Sequence, residues 1–132
     1  MAGVSLLATL VAALSGFMLG AIWYGPLFGQ RWMHLVGMTK ETLESGFNPV
    51  KAYGLTFVLS VISASVMGWA AGPDPTIKDG LGCGLLIGAG WVAASLATND
   101  LFERRPAALT GINAGYHVVR FAIMGLVFGL LG

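Results

Sequence analysis

Uncharged, largely apolar residues fill four long segments of this chain, residues 4–24, 52–72, 80–99 and 107–131, and polar residues collect in the three gaps between them. Each segment is long enough to cross a hydrocarbon core of ~30 Å as a helix rising ~1.5 Å per residue. One charged side chain, Arg120, breaks the partition near the middle of the fourth segment. The pattern predicts an all-α integral membrane bundle of four transmembrane helices, forming a single domain over residues 1–132, with a short interfacial helix between the first two spans.

The gaps supply local signals. Gly25-Pro26 breaks the first helix, and residues 27–38 mix Phe28, Trp32, Leu35 and Val36 with Gln30, Arg31 and His34. That mixture suits a short helix lying in the membrane interface with Pro26 in its first turn. Thr39 followed by Glu41 and Glu44 starts a second helical turn, Asn48-Pro49 marks the approach to the second span, Gly72-Pro73-Asp74-Pro75 is a turn, and Pro106 opens the last helix. Arg31, Lys40, Lys51, Arg104 and Arg105 lie in the first and third gaps, against Lys78 alone in the second. The excess of basic residues predicts that the first and third gaps are cytoplasmic and both termini extracytoplasmic. No Lys or Arg precedes the first apolar run, which is longer than a signal-peptide core, so it reads as a retained span.

Every span carries small residues at helical spacing, including Gly16 and Gly20 in the first, Ser60 and Ala64 in the second, Gly80, Gly84 and Gly88 in the third, and Gly111 and Gly115 in the fourth. In lipid, close backbone packing and interhelical hydrogen bonds replace the hydrophobic drive of water-soluble cores. These stripes therefore predict one tight bundle, with Gly84→Leu or Gly115→Leu more disruptive than Leu86→Ala. A weak echo also links the halves: Leu27-Phe28 with Arg31 resembles Leu101-Phe102 with Arg105, and Gly16 and Gly90 fall in the same register.

Composition narrows the functions open to the chain. Charged residues make up 10% of it, against about a quarter in a soluble domain, and the longest gap, 25–51, is too short to build a core. Function must reside in the spans or at their ends. A net charge of +1 gives no basis for nucleic-acid binding, and a lone cysteine, Cys83, excludes an internal disulfide. There is no nucleophile motif, no phosphate loop, no carboxylate pair within a span, and no metal-ligand spacing with His34 and His117 the only histidines. The chain reads as non-enzymatic, without cofactor or metal.

Candidate chemistry concentrates on the fourth span. At 100° per residue Asn113, Tyr116, His117 and Arg120 share one helical sector, and Arg120 lies more than about 16 Å from either end of its span. A central charge is expensive in lipid, so Arg120 is expected in a protein-lined polar pocket with a hydrogen-bonding partner. Its neutralising group is open: carbonyls, hydroxyls, Asp100 or Glu103, an anion, a lipid headgroup or another subunit. His117 is a candidate for proton coupling, set against the plainer role of a neutral imidazole bonded between helices. Asn99, Asp100, Glu103, Arg104 and Arg105 form a charged cluster at the cytoplasmic end of the third span, where Asp100 can pair with Arg104 and Glu103 with Arg31.

Trp23-Tyr24-Gly25-Pro26-Leu27-Phe28-Gly29 with Trp32-Met33, Asn99 with Phe102-Glu103-Arg104-Arg105, and Ile112-Asn113 with Gly115-Tyr116-His117 and Gly125 resemble a group of small bacterial inner-membrane proteins, domain-of-unknown-function family 1761. The resemblance covers essentially the whole chain and implies a four-helix protein of the bacterial inner membrane, without implying an activity. Size alone is also similar to the small multidrug transporters, but their mechanism depends on a glutamate in the first span, and residues 4–24 contain none. The expected function is the binding or passage of a small anion, proton or lipid headgroup at the polar site around Arg120. The alternative is an accessory subunit of a larger membrane complex. The expected partners are the lipid bilayer and either further copies of the chain or other membrane subunits.

Overall fold

The computed structural model describes residues 5–131, with Leu43 by its backbone alone; Val4, where the first span was expected to start, lies outside the described residues. The elements are α1 (Leu6–Ile22), α2 (Gly29–Val36), α3 (Lys40–Glu44), α4 (Pro49–Ala71), α5 (Ile77–Leu86), α6 (Ala94–Phe102) and α7 (Ala107–Leu131). Two π-helical segments interrupt the α-helices: Trp23–Leu27 prolongs α1 up to a turn at Phe28, and Ile87–Ala93 joins α5 and α6 into one continuous helix. Four helices are long and apolar enough to cross a membrane: Leu6–Leu27, Pro49–Ala71, Ile77–Phe102 and Ala107–Leu131.

Local chemistry sets these boundaries. Ser5, Thr39, Asn48 and Thr76 each accept a hydrogen bond from the backbone N–H three residues on, capping α1, α3, α4 and α5. The second and third spans start before the expected residues 52 and 80 because their first turns contain Lys51, Lys78 and Asp79, which apolarity alone leaves out, and the third runs on past Asp100 to Phe102. Pro26 corrects a second expectation: it lies inside the first π segment and not in the first turn of α2. A proline cannot donate to the preceding turn, and the ladder widens so that the Phe28 N–H reaches the Trp23 carbonyl at 2.8 Å. Gly37 ends α2 at φ 74°, in the left-handed region that only glycine enters freely.

Helix α7 is the centre of the bundle and touches α1, α4, α5 and α6. Its Phe121, Met124 and Phe128 fill a core against Ala8, Ala12 and Ala13 of α1 and Ala64 and Met67 of α4. Alanines bring the backbones close, and the long side chains of α7 occupy the space between them. The α5–α7 contact is closer still. A Cβ at Gly80 would strike the Gly125 carbonyl, one at Gly125 would strike the Gly80 carbonyl, and one at Gly84 would strike the Phe121 carbonyl. A Cβ at Gly88 would lie 3.0 Å from the Val118 Cα. The order 80–125, 84–121, 88–118 describes two antiparallel helices in backbone contact, where Cα–H groups face carbonyl oxygens.

The other glycines differ. Gly16 faces Arg120 and Met124, Gly20 faces the Tyr116 hydroxyl and Gly115 faces the Trp23 ring, whereas Gly111 and Gly90 have nothing within 4 Å of a Cβ position. Within this chain Gly111 therefore marks no close approach, and Gly16 and Gly90, matched in the sequence echo, have unlike surroundings. Large apolar side chains such as Leu6 and Leu14 of α1 and Val50, Leu59 and Trp69 of α4 stay exposed. On a molecule in water they would form patches of the kind soluble proteins avoid.

Candidate functional site

The first π segment positions the site. Trp23 and Tyr24, adjacent in sequence, both reach α7: Trp23 Nε1–H donates to the Ile112 carbonyl at 2.9 Å, and the Tyr24 hydroxyl donates to Asn113 Oδ1 at 2.7 Å. One turn further along α7, the Tyr116 hydroxyl donates to the Gly16 carbonyl at 2.9 Å. The rings of Tyr24 and Tyr116 meet edge to face at 5.3 Å, and Tyr24 meets Trp32 of α2 at 5.8 Å. From the opposite side, the second π segment lays Gly88 against His117 and Val118. Both irregular segments thus flank residues 112–118 of α7, and π bulges in helices are frequent at functional sites.

Arg120 is 8% exposed. Its Nη2 donates to Ser60 Oγ of α4 at 3.4 Å, its guanidinium carbon lies 4.9 Å from the centre of the Phe121 ring, and its Nε would be 3.1 Å from a Cβ at Gly16. The guanidinium therefore sits where α1, α4 and α7 meet, held by a neutral hydroxyl and an aromatic face. Asp100 and Glu103 do not neutralise it. Asp100 is buried against α7, where it accepts from Thr110 Oγ1 at 2.6 Å, and Thr110 precedes Arg120 by ten residues, or ~15 Å of helix. His117 packs against the rings of Tyr116 and Phe121, and its Nδ1 is buried without a hydrogen-bond partner. The four residues of the predicted sector thus share a face of α7 but serve different neighbours.

The charged cluster is rearranged as well. Helix α6 ends at Phe102, and Arg104 adopts φ 58°, which carries it away from the helical position that would pair it with Asp100. Arg105 takes its place, 3.9 Å from Asp100 and 3.3 Å from Glu103, so Glu103 pairs locally and not with Arg31. Asn99 contributes its carbonyl to the Glu103 N–H at 2.9 Å. Among the described residues no three His, Cys, Asp or Glu side chains come together as a metal site would need.

An open space lies beside the Tyr24–Asn113 contact. Tyr24, Trp32 and Met33 wall it on one side and Phe47 and Tyr53 on the other, enclosing ≈ 920 Å³, with Lys40 and Glu44 of α3 also in its lining. A second space of ≈ 780 Å³ shares Tyr24 and Tyr53 and runs between α1 and α4 past Phe17, Gly20 and Thr56 to Tyr116. The two adjoin at Tyr24 and Tyr53 as a mostly apolar groove, and its lining includes Tyr116. Phe17 and Phe47 each hold the Tyr53 ring edge to face at 5.9 Å, which fixes the α4 wall and the α3–α4 loop. The left-handed glycines Gly37 and Gly46 bracket α3 and return its charged face to the mouth. Sequence reading singled out Asn113 and Tyr116 but missed Tyr24, Trp32 and Tyr53 as partners in one site. The signal available was the density of aromatic residues at one end of the first two spans.

Comparison with curated proteins and with solved structures gives no match. The family model described as "protein of unknown function (DUF1761)" matches residues 7–129, nearly the whole chain and all the residues of the groove, and the chain belongs to that family.

Proposed function

We propose that this chain is a non-enzymatic multi-pass protein of the bacterial inner membrane that binds an amphiphilic molecule in the groove between α1 and α4. The joined cavities walled by Tyr24 and Tyr53 carry this reading. Each has the size of a ligand site and is mostly apolar; the first adds phenol, amide and indole groups, the second phenols and the Thr56 hydroxyl. With both termini extracytoplasmic, the mouth near α3 sits at headgroup level, α2 lies in the interface, and the inner groove faces the acyl chains laterally. The exposed apolar faces of α1 and α4 then meet lipid.

Of the ligands expected near Arg120, the lipid headgroup fits this groove, because a small anion or a proton needs no apolar channel beside it. Arg120 itself is enclosed where α1, α4 and α7 meet, by Ser60, Gly16 and Phe121, and does not line the groove. Purified from membranes in mild detergent, the protein is expected to retain an amphiphile visible by native mass spectrometry. Ala21→Trp fills the groove from an exposed position and is expected to reduce that retention. Retention unchanged by Ala21→Trp would remove the groove as the site.

One observation favours the second reading, an accessory subunit. The first half of α4 is exposed nearly all round, and Gly54 has nothing within 4 Å of a Cβ position, which leaves room for a partner helix. Co-purification with a larger membrane complex, lost on Gly54→Leu, would support it.

A further inference from the structure

The mouth of the groove carries two opposite charges. Lys40 and Glu44 stand one turn apart on α3, at a spacing of ~5–6 Å between Cβ atoms, and both line the ≈ 920 Å³ cavity. Such a pair commonly closes on itself, yet among the described residues the ion pairs all belong to Arg105. Both charges are therefore free to meet a ligand. Trp32, Phe47 and Tyr53 line the same cavity, and aromatic faces attract an ammonium group. Behind them the groove continues as apolar surface between two spans.

We infer that the ligand is a zwitterionic phospholipid of the phosphoethanolamine type, with its phosphate at Lys40, its ammonium between Glu44 and the aromatic rings, and an acyl chain along the groove to Tyr116. This inference rests on the groove being the binding site proposed above. Lys40 and Glu44 stand one helical turn apart at the same mouth, and their charges cancel, as do those of the lipid. An anionic headgroup would satisfy Lys40 but leave Glu44 facing like charge. A headgroup without its tail would leave the apolar part of the groove unfilled.

The test is reconstitution into vesicles of equal phosphatidylethanolamine and phosphatidylglycerol, re-extraction in mild detergent, and mass-spectrometric weighing of the retained lipid. Phosphatidylethanolamine is expected to be enriched over the vesicle composition by up to about fivefold, the most that one partly exposed charge pair supplies. Glu44→Gln is expected to bring that ratio towards one without reducing total lipid, and Lys40→Gln to reduce retention of both lipids. Residues 40 and 44 are exposed on a short surface helix, so neither change endangers the bundle. If Ala21→Trp reduces retained lipid but phosphatidylethanolamine is not enriched, or is enriched equally with Glu44→Gln, the headgroup assignment is wrong while the groove stands. If Ala21→Trp changes nothing, groove and headgroup assignment fall together.

Discussion

A Cβ at Gly84 would meet the Phe121 carbonyl, a backbone atom that yields only if α5 and α7 move apart. Gly84→Ala is therefore expected to cost about 1–3 kcal/mol by the usual scale of overpacking. Gly82→Ala, on the same helix with nothing within 4 Å, should stay within about 0.5 kcal/mol of the parent. Thermal unfolding in detergent compares the two, and equal losses would show that the α5–α7 contact is not closed by backbone. Gly115 is a gentler case, since its neighbour at 3.2 Å is the Trp23 ring edge, which can shift. Arg120 presents the opposite problem, a charge buried with a hydroxyl at 3.4 Å and no carboxylate partner among the described residues. Burying a guanidinium costs several kcal/mol that one neutral hydrogen bond does not return, so Arg120→Met is expected to leave the bundle as stable or more stable. A loss above about 3 kcal/mol would mean that a charged partner outside this chain had been stranded.

At the scale of elements, the hairpin of α6 and α7 depends on one buried acid. Asp100 is 8% exposed, and the Thr110 hydroxyl at 2.6 Å is its short contact, with Arg105 more distant at 3.9 Å. Thr110→Val keeps the shape and removes the donor, leaving a buried carboxylate oxygen unsatisfied. The expected loss is about 1–3 kcal/mol, read as a lower unfolding temperature, and Thr110→Ser should recover most of it. Recovery by Ser separates the hydrogen bond from methyl packing; a Ser variant as unstable as Val would assign the effect to packing. The π segments belong to this scale too. Proline at position 26 and glycines at 84 and 88 are visible in the sequence, but whether a helix containing them kinks, ends or widens depends on the neighbour that accepts the displaced groups. For the first segment α7 receives the Trp23 and Tyr24 side chains, through the Ile112 carbonyl and the Asn113 amide oxygen.

For the whole molecule, the basic residues of the first and third gaps against Lys78 in the second predict that both termini lie on the outer side. A reporter fused at residue 132 is expected to be active only outside the cytoplasm. Cytoplasmic activity would invert the bundle and move the Lys40–Glu44 mouth of the groove to the outer leaflet, where the lipid available differs. The arrangement of helices around α7 is independent of that outcome, because it follows from the alanine face of α1, the glycine face of α5 and the large side chains of α7.

Taken alone, the chain determined its four apolar helices and their order, and marked Asn48 and Pro106 where the second and fourth begin, because length, apolarity and local start signals act over a few neighbouring positions. It also placed Asn113, Tyr116, His117 and Arg120 on one face, since helical phase is local geometry. Phase says which residues share a face but not which neighbour that face meets. Tertiary structure decided that Asn113 meets Tyr24, Tyr116 meets Gly16 and Arg120 meets Ser60, and that Gly125 and Gly129, not Gly111, are glycines of α7 in backbone contact with α5. It also decided the groove, whose walls come from residues as distant in sequence as Phe17, Tyr53 and Tyr116. Those walls exist only once α7 holds the other helices at fixed separations, and that separation depends on every small residue at every crossing together.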